Sequence, residues 1–370
     1  MYYLVPVFLI SFLPLLAAKS ETVAVDYFVT LINSRQTFWK AARSSRENTT
    51  RRSLMHSNNP VIFLKDEDTK MKACDITGRK IPETFDARLE WPACRASIER
   101  INNQGNCSSC WAFAAIGVMS DRLCIQTNGK ENFRFSPQDL ISCCQYCDFA
   151  CTGGIASRSW HYYTHFGIEG CKPYQESEYF YNKTTTCIAS CENPFYNVSY
   201  KDDKHFGSEY YMVNKTPECI QAEIMEKGPV QASMAVYEDF NYYRDGVYVY
   251  TIGKKQARHA VRIIGWGKER GIPYWLVANS WGCQWANLKG FFKIRRGTDE
   301  CGIEQHVIAG NPKFDSDDRV LEISRHSYVP WVVTSAVLMC FVLMTVLVGL
   351  VIILNHKAKE MLVKYLVDKN

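Results

Sequence analysis

Nowhere in the chain does a block of lysine and arginine alternate with aromatics, and the formal net charge of +5 is spread thinly over 370 residues. Gripping a phosphate backbone takes a dense basic stripe, so nucleic acid is excluded as a partner. Internal repeats are also missing, which removes solenoids and arrays. Charged residues make up only 22% against 47% hydrophobic, a balance that builds an ordinary core. The length predicts a main domain with appendages.

Cysteine is the residue in excess, with sixteen copies. Cys107/Cys110 and Cys144/Cys147 are each two residues apart, yet neither pair has the histidines or second cysteine pair that zinc requires. No metal set and no cofactor motif is implied, and disulfides in an oxidising compartment are the better reading. The N-terminus agrees, because residues 3–16 are nearly all apolar and Ala17-Ala18 precedes Lys19. That pattern predicts a signal peptide over 1–18, though its basic n-region is missing and an N-terminal anchor is the alternative. Sequons at Asn48, Asn182, Asn197 and Asn214 predict a glycosylated product; Asn106 begins another, expected to stay unused.

Residues 331–354 carry no charge, and only Thr334, Ser335 and Thr345 interrupt the apolar run. At about 1.5 Å per residue the run reaches roughly 36 Å, enough to cross a hydrocarbon core of about 30 Å. His356, Lys357, Lys359 and Lys364 follow, so a type I span is predicted with a cytosolic tail at 355–370. Upstream, Val25, Phe28, Val29 and Ile32 recur at helical spacing in a stretch too poor in apolar residues for its own core. It is a linker or a segment that folds against something else. From about residue 81 to 313 an initial helical half, with Trp111, Ala114, Ala115 and Val118 on one stripe, gives way to β-rich runs at 247–250, 260–265, 274–279 and 291–294. Segregated helices and strands predict an α+β fold. Residues 314–330 are polar and read as a stalk.

The stretch Asn103-Gln104-Gly105-Asn106-Cys107-Ser108-Ser109-Cys110-Trp111-Ala112 places a cysteine at a helix start, where unpaired N–H groups and the helix dipole favour thiolate. Downstream come Arg258-His259-Ala260-Val261, then Gly265-Trp266-Gly267, then Asn279-Ser280-Trp281-Gly282. In this order the motifs resemble the papain-like cysteine peptidases. The cathepsin B branch is the nearest, on Phe85-Asp86-Ala87-Arg88, Cys143-Cys144, Gly290-Phe291-Phe292-Lys293-Ile294 and Cys301-Gly302-Ile303-Glu304.

The resemblance implies a two-domain fold, helical on the left and β-barrel-like on the right, with a cleft between. It makes Cys110 the nucleophile, His259 its base and acid, and Asn279 the acceptor that orients the imidazole. Gln104 joins the Cys110 N–H against the oxyanion, a donor worth about 3 kcal/mol. Trp281 shields the His–Asn bond on the substrate side, and the backbones of Gly153 and Gly154 pair with substrate. Residues 19–80 become an inhibitory propeptide, cut near Lys80-Ile81, ahead of a peptidase domain at 81–313. The implied disulfides are Cys94–Cys124, Cys107–Cys151, Cys143–Cys187, Cys144–Cys147 and Cys171–Cys191. Cys74 is unassigned, and Cys219 and Cys283 are left as a potential pair beside Cys301.

Between Cys171 and Cys187 the chain is shorter than the branch's occluding loop and has no histidine. A substrate's C-terminal carboxylate then has no cationic partner, which predicts an endopeptidase rather than a peptidyl-dipeptidase. His306 stands where the branch has an acidic residue at the base of S2, so apolar P2 side chains are expected. Ser108, Arg258 and Ala286 replace glycines, and Arg258 is expected to crowd the cleft wall and disfavour the imidazolium. The expected partners are protein or peptide substrates, the chain's own propeptide and a lipid bilayer. The catalytic domain is expected to face the lumen or exterior, at the endolysosomal membrane or the cell surface. A silent binding protein and a thiol transpeptidase are the rival readings.

Overall fold

A seventeen-residue helix beginning at Cys110 is the element around which the rest is arranged, and it is not amphipathic. Every residue from Cys110 to Ile125 is buried, so the single apolar stripe expected from the sequence gives way to a helix enclosed on all sides. Residues 23–43, 69–147, 150–174, 186–191 and 196–314 are described by the computed structural model. Those up to Lys313 belong to one unit, and the unit from Phe314 to Asn370 lies, Phe314 apart, outside the described residues.

In chain order, residues 23–35 form α1, followed by the strands Trp39–Ala41 (β1) and Phe85–Asp86 (β2). The short helices Ala87–Glu90 (α2) and Arg95–Ile98 (α3) lead to the central helix α4, Cys110–Gln126. Pro137–Cys143 (α5) and Ala156–His165 (α6) complete the helical side. Gly207–Met212 (β3), Pro217–Lys227 (α7) and Val230–Tyr237 (β4) come next. Tyr243–Tyr248 (β5), Lys255–Glu269 (β6), Ile272–Ala278 (β7), Phe291–Arg295 (β8) and Val307–Pro312 (β9) finish the sheet. Its order is β1-β5-β8-β7-β6-β4-β9-β3, with β2 attached to β6. Among these strands the β5/β8 pair is parallel and the others are antiparallel.

Two apolar cores result. One fills the sheet side around Phe240, Trp266, Trp275 and Phe292, and the other holds α4 against Phe135, Leu140 and Trp160. β6 separates them through the two-residue alternation of a strand: Val261 and Ile263 belong to the sheet core, whereas Ala260 belongs to the helical one. This is the mixed helix-and-sheet content the sequence predicted.

The upstream segment folds against the main domain and is no free linker. α1 buries Val25 and Ile32 in the sheet core, and Trp39 packs between Tyr243 and Tyr248 at ring distances of 6.0 and 5.2 Å. Its indole N–H donates to the Val249 carbonyl at 2.9 Å. The α1–β1 turn is closed by Asn33, whose side chain donates to the Ala41 carbonyl and accepts its N–H, both at 2.9 Å. β1 pairs with β5 opposite Gly246, whose φ of +88° and lack of Cβ are both needed, since a Cβ there would lie 2.5 Å from the Phe38 carbonyl. At the other edge of the sheet Lys72 N–H bonds β3 at the Met212 carbonyl, 2.9 Å.

All five disulfides implied by the resemblance are formed. A sixth joins Cys74 to Cys219, which corrects the suggested Cys219–Cys283 pair. Cys283 is exposed and free, as is the half-buried Cys301. Among the described residues no helix is long and apolar enough to cross a membrane; the span predicted at 331–354 lies outside them, as do the signal peptide and tail. Asn197 is exposed and Asn214 half-buried, while Asn48 and Asn182 lie outside the described residues.

Candidate active site

Two loops and one helix end build the site. Residues 102–104 run antiparallel to 280–282, with Gln104 N–H donating to the Ser280 carbonyl and Gly282 N–H to the Asn102 carbonyl, each 2.9 Å. The Cys107–Cys151 disulfide then pins the loop that enters α4, and Ser108 N–H donates to the Cys151 carbonyl at 2.9 Å. Gly153 and Gly154 follow Cys151 after the single residue Thr152, so the same staple sets their backbone beside the helix start. Gly153 has φ of +132°, and a Cβ on Gly154 would lie 2.5 Å from the buried Trp111 ring. Packing alone therefore demands glycine at 154.

Cys110 is the first residue of α4, and its sulfur accepts the Ala260 N–H at 3.5 Å. Ala260 is the neighbour of His259 on β6, so the strand brings the imidazole to the helix N-terminus. His259 Nε2 lies 2.8 Å from Asn279 Oδ1, an oxygen that also accepts the Ser280 N–H at 2.7 Å. An oxygen acceptor requires the proton on Nε2, which leaves Nδ1 as the nitrogen able to take one from a thiol. The Trp281 ring lies 4.9 Å from the imidazole and tilted 31° to it, closing this bond off from solvent. Gln104 is buried; its Oε1 accepts the Ser280 hydroxyl at 2.6 Å, and its Nε2 donates to the Cys107 carbonyl at 2.9 Å, with a second N–H hydrogen remaining.

Burial governs the electrostatics. It pushes the Cys110 thiol up to about 11, against the pull of the N–H groups of Ala260, Trp111 and Cys110. Burial likewise draws His259 down to about 4, opposed by its bond to Asn279. Burial thus opposes charge on both groups, while the N–H groups around the sulfur and the Asn279 acceptor favour it. The depression of His259 comes from burial and not from Arg258, as the sequence reading had it. Arg258 acts instead on His306, whose pKa is lowered by burial first and then by that positive charge.

Arg262 is the residue that sequence reasoning missed. From β6 it reaches along α4, pairing with buried Asp121 and donating to the Ile98 and Arg100 carbonyls at 3.1 and 3.0 Å. It fixes the strand of His259 against the helix of Cys110. The only signal was a lone arginine inside the apolar run Ala260–Gly265. Among the described residues one cluster has metal-ligand spacing, Glu169, Cys171 and Asp203, but its sulfur is committed to Cys191.

The family model described as papain family cysteine protease matches residues 81–311. The chain belongs to the papain family. Cathepsin B-like cysteine proteinase 4 of Caenorhabditis elegans is 41% identical over 326 residues, 80% of this chain and 94% of that one. The gut-specific cysteine proteinase of the same organism is 40% identical over 308 residues, covering 79% and 92%. Among solved structures, proCathepsin B S9 from Trypanosoma congolense superposes with a TM-score of 0.71 at 32% identity, over 78% of this chain and 98% of that one. The protein is thus a cathepsin B-like cysteine protease with a zymogen-type structure.

Proposed function

We propose that the chain is the membrane-anchored zymogen of an endopeptidase in which Cys110 attacks the scissile carbonyl and His259 protonates the leaving amine. Asn279 holds the imidazole tautomer, and the Cys110 N–H with Gln104 Nε2 receives the oxyanion. The acyl-enzyme is then hydrolysed by water activated on His259. The observation that carries this reading is the Cys110 sulfur at the helix N-terminus on the Ala260 N–H, next to an imidazole whose far nitrogen is taken up by Asn279.

Latency rests on the upstream segment, docked at both edges of the sheet. The endopeptidase assignment rests on the short, histidine-free stretch between Cys171 and Cys187, whose ends are stapled to Cys191 and Cys143. The apolar run at 331–354 and the lysines after it support a single type I span, with the protease lumenal or extracellular, at the endolysosomal membrane or cell surface.

Hydrolysis of a fluorogenic dipeptidyl-amide by the processed enzyme, beside a Cys110→Ala control, tests the chemistry. Turnover that is absent from the control and blocked by a thiol-reactive epoxide is expected; equal rates in both would sink it. Efficient release of dipeptides from a free-carboxylate peptide would refute the endopeptidase assignment alone.

A further inference from the structure

We propose that the processed protease is a two-chain molecule joined by the Cys74–Cys219 disulfide, so that cutting the chain near Lys80 opens the cleft only after this bond is reduced. The proposal rests on the zymogen reading above and adds a covalent lock to it. Cys74 stands on the N-terminal side of the bond expected to be cut, and Cys219 lies in α7 of the main domain, 145 residues away. The next staple along the chain is Cys94–Cys124. Any cut between Cys74 and Cys94 therefore leaves the upstream segment attached, with α1 and β1 still part of it.

The surroundings of the disulfide form a built docking site. Lys72 N–H and the Met212 carbonyl, and Met212 N–H and the Lys70 carbonyl, bond at 2.9 and 3.0 Å. Lys72 pairs with Glu223 at 2.8 Å, and Glu223 is itself buried on Arg122 at 2.9 Å and the Tyr211 hydroxyl at 2.7 Å. The clamp is thus anchored in the core and not on a surface side chain. Residues 75–80, by contrast, are all exposed, and Gly78 has open space around it, which suits a protease cut.

Tethering changes the inhibition quantitatively. A free propeptide dissociates on dilution, whereas a tethered one rebinds at an effective concentration on the order of millimolar. Cutting alone then leaves the upstream segment docked at both edges of the sheet. Release requires a thiol reductant, and the disulfide is reachable: Cys74 is half-exposed and a cavity of about 180 Å³ lies beside the bond. One thiolate of a small dithiol attacks a sulfur of the bond and expels the other as thiolate. The second thiolate of the dithiol then closes its own ring disulfide, and Cys74 and Cys219 leave as two thiols after taking up protons.

The experiment is maturation of the full chain at acid pH without thiols, followed by N-terminal sequencing and paired non-reducing and reducing gels. The expected result is a new N-terminus between residues 75 and 94, with the fragments co-migrating until a dithiol is added. Peptidase activity should then rise about tenfold or more. A Cys74→Ser/Cys219→Ser double variant should separate without reductant and show no such rise. Fragments that part without reductant, or a first residue upstream of Cys74, overturn the lock and leave the zymogen reading standing. Full activity of the uncut chain overturns both. Non-reduced peptide mapping of the unmutated chain needs no variant to fold, and absence of a linked 74–219 peptide also refutes the lock.

Discussion

Replacing Trp39 with alanine should unlatch the zymogen without touching its chemistry. The indole is 4% exposed, packs on Tyr243 and Tyr248, and donates to the Val249 carbonyl. Truncating a buried tryptophan costs about 3 to 5 kcal/mol, and all three partners lie in the main domain, so the loss falls on docking of the upstream segment. At about 3 kcal/mol the open fraction rises roughly 150-fold. The assay is the second-order rate at which a thiol-reactive epoxide labels Cys110 in the uncut chain, with mass spectrometry confirming that no cut has occurred. Once cut and reduced, variant and parent should label equally, since Trp39 then leaves with the upstream segment. Equal labelling of the two uncut chains would refute the claim that this tryptophan holds the segment down.

Asn279→Ala removes the acceptor on His259 Nε2 and should lower kcat/KM by about 10- to 150-fold, the value of a hydrogen bond to a group that becomes charged, with little change in Tm. Arg262→Ala strands Asp121 in the interior and should cost about 3 to 5 kcal/mol in a denaturant titration. Arg262→Lys should not rescue it, because the carboxylate is met by one guanidinium nitrogen and both carbonyls by the other, a span that a single ammonium nitrogen lacks. The chain should lose stability as pH falls. The fold holds buried His259 at about 4 instead of 6.5, so its contribution to stability is complete above 6.5 and is lost progressively down to 4. The gap caps the effect at about 3 kcal/mol, and a flat denaturant midpoint over that range refutes it. His306→Glu should raise kcat/KM for substrates with arginine at P2 relative to leucine; an unchanged ratio would remove residue 306 from that subsite.

The parts legible in the sequence were those where chemistry dictates a residue type at a position. A thiol at a helix start, an imidazole in a β run and an asparagine before Ser-Trp-Gly leave little freedom, and the strands carrying them appeared with their ends shifted by a few residues. β4 escaped notice because seven of its eight residues are buried and no alternation remains to be read. The stripe assigned to α4 failed for the same reason, being a helix wrapped on every side. Disulfide partners are a property of three-dimensional distance, which is why Cys74 and Cys219 could not be joined from spacing. Asn33 acts through backbone groups at a position that no local pattern marks, and Arg262 was marked only by standing alone in an apolar run. Gly246 shows the converse: its need becomes visible only when Trp39 lies across it.

The contact between the Cys110 sulfur and the Ala260 N–H spans 150 positions of the chain. Contacts of that range form late, after the loop between them has been closed at an entropic cost. Early folding therefore produces a polypeptide with a thiol and an imidazole far apart and no means of hydrolysing its neighbours. Catalytic competence arrives only with the docking of the last strands on the helix, by which time the upstream segment, made first, is already present to meet it.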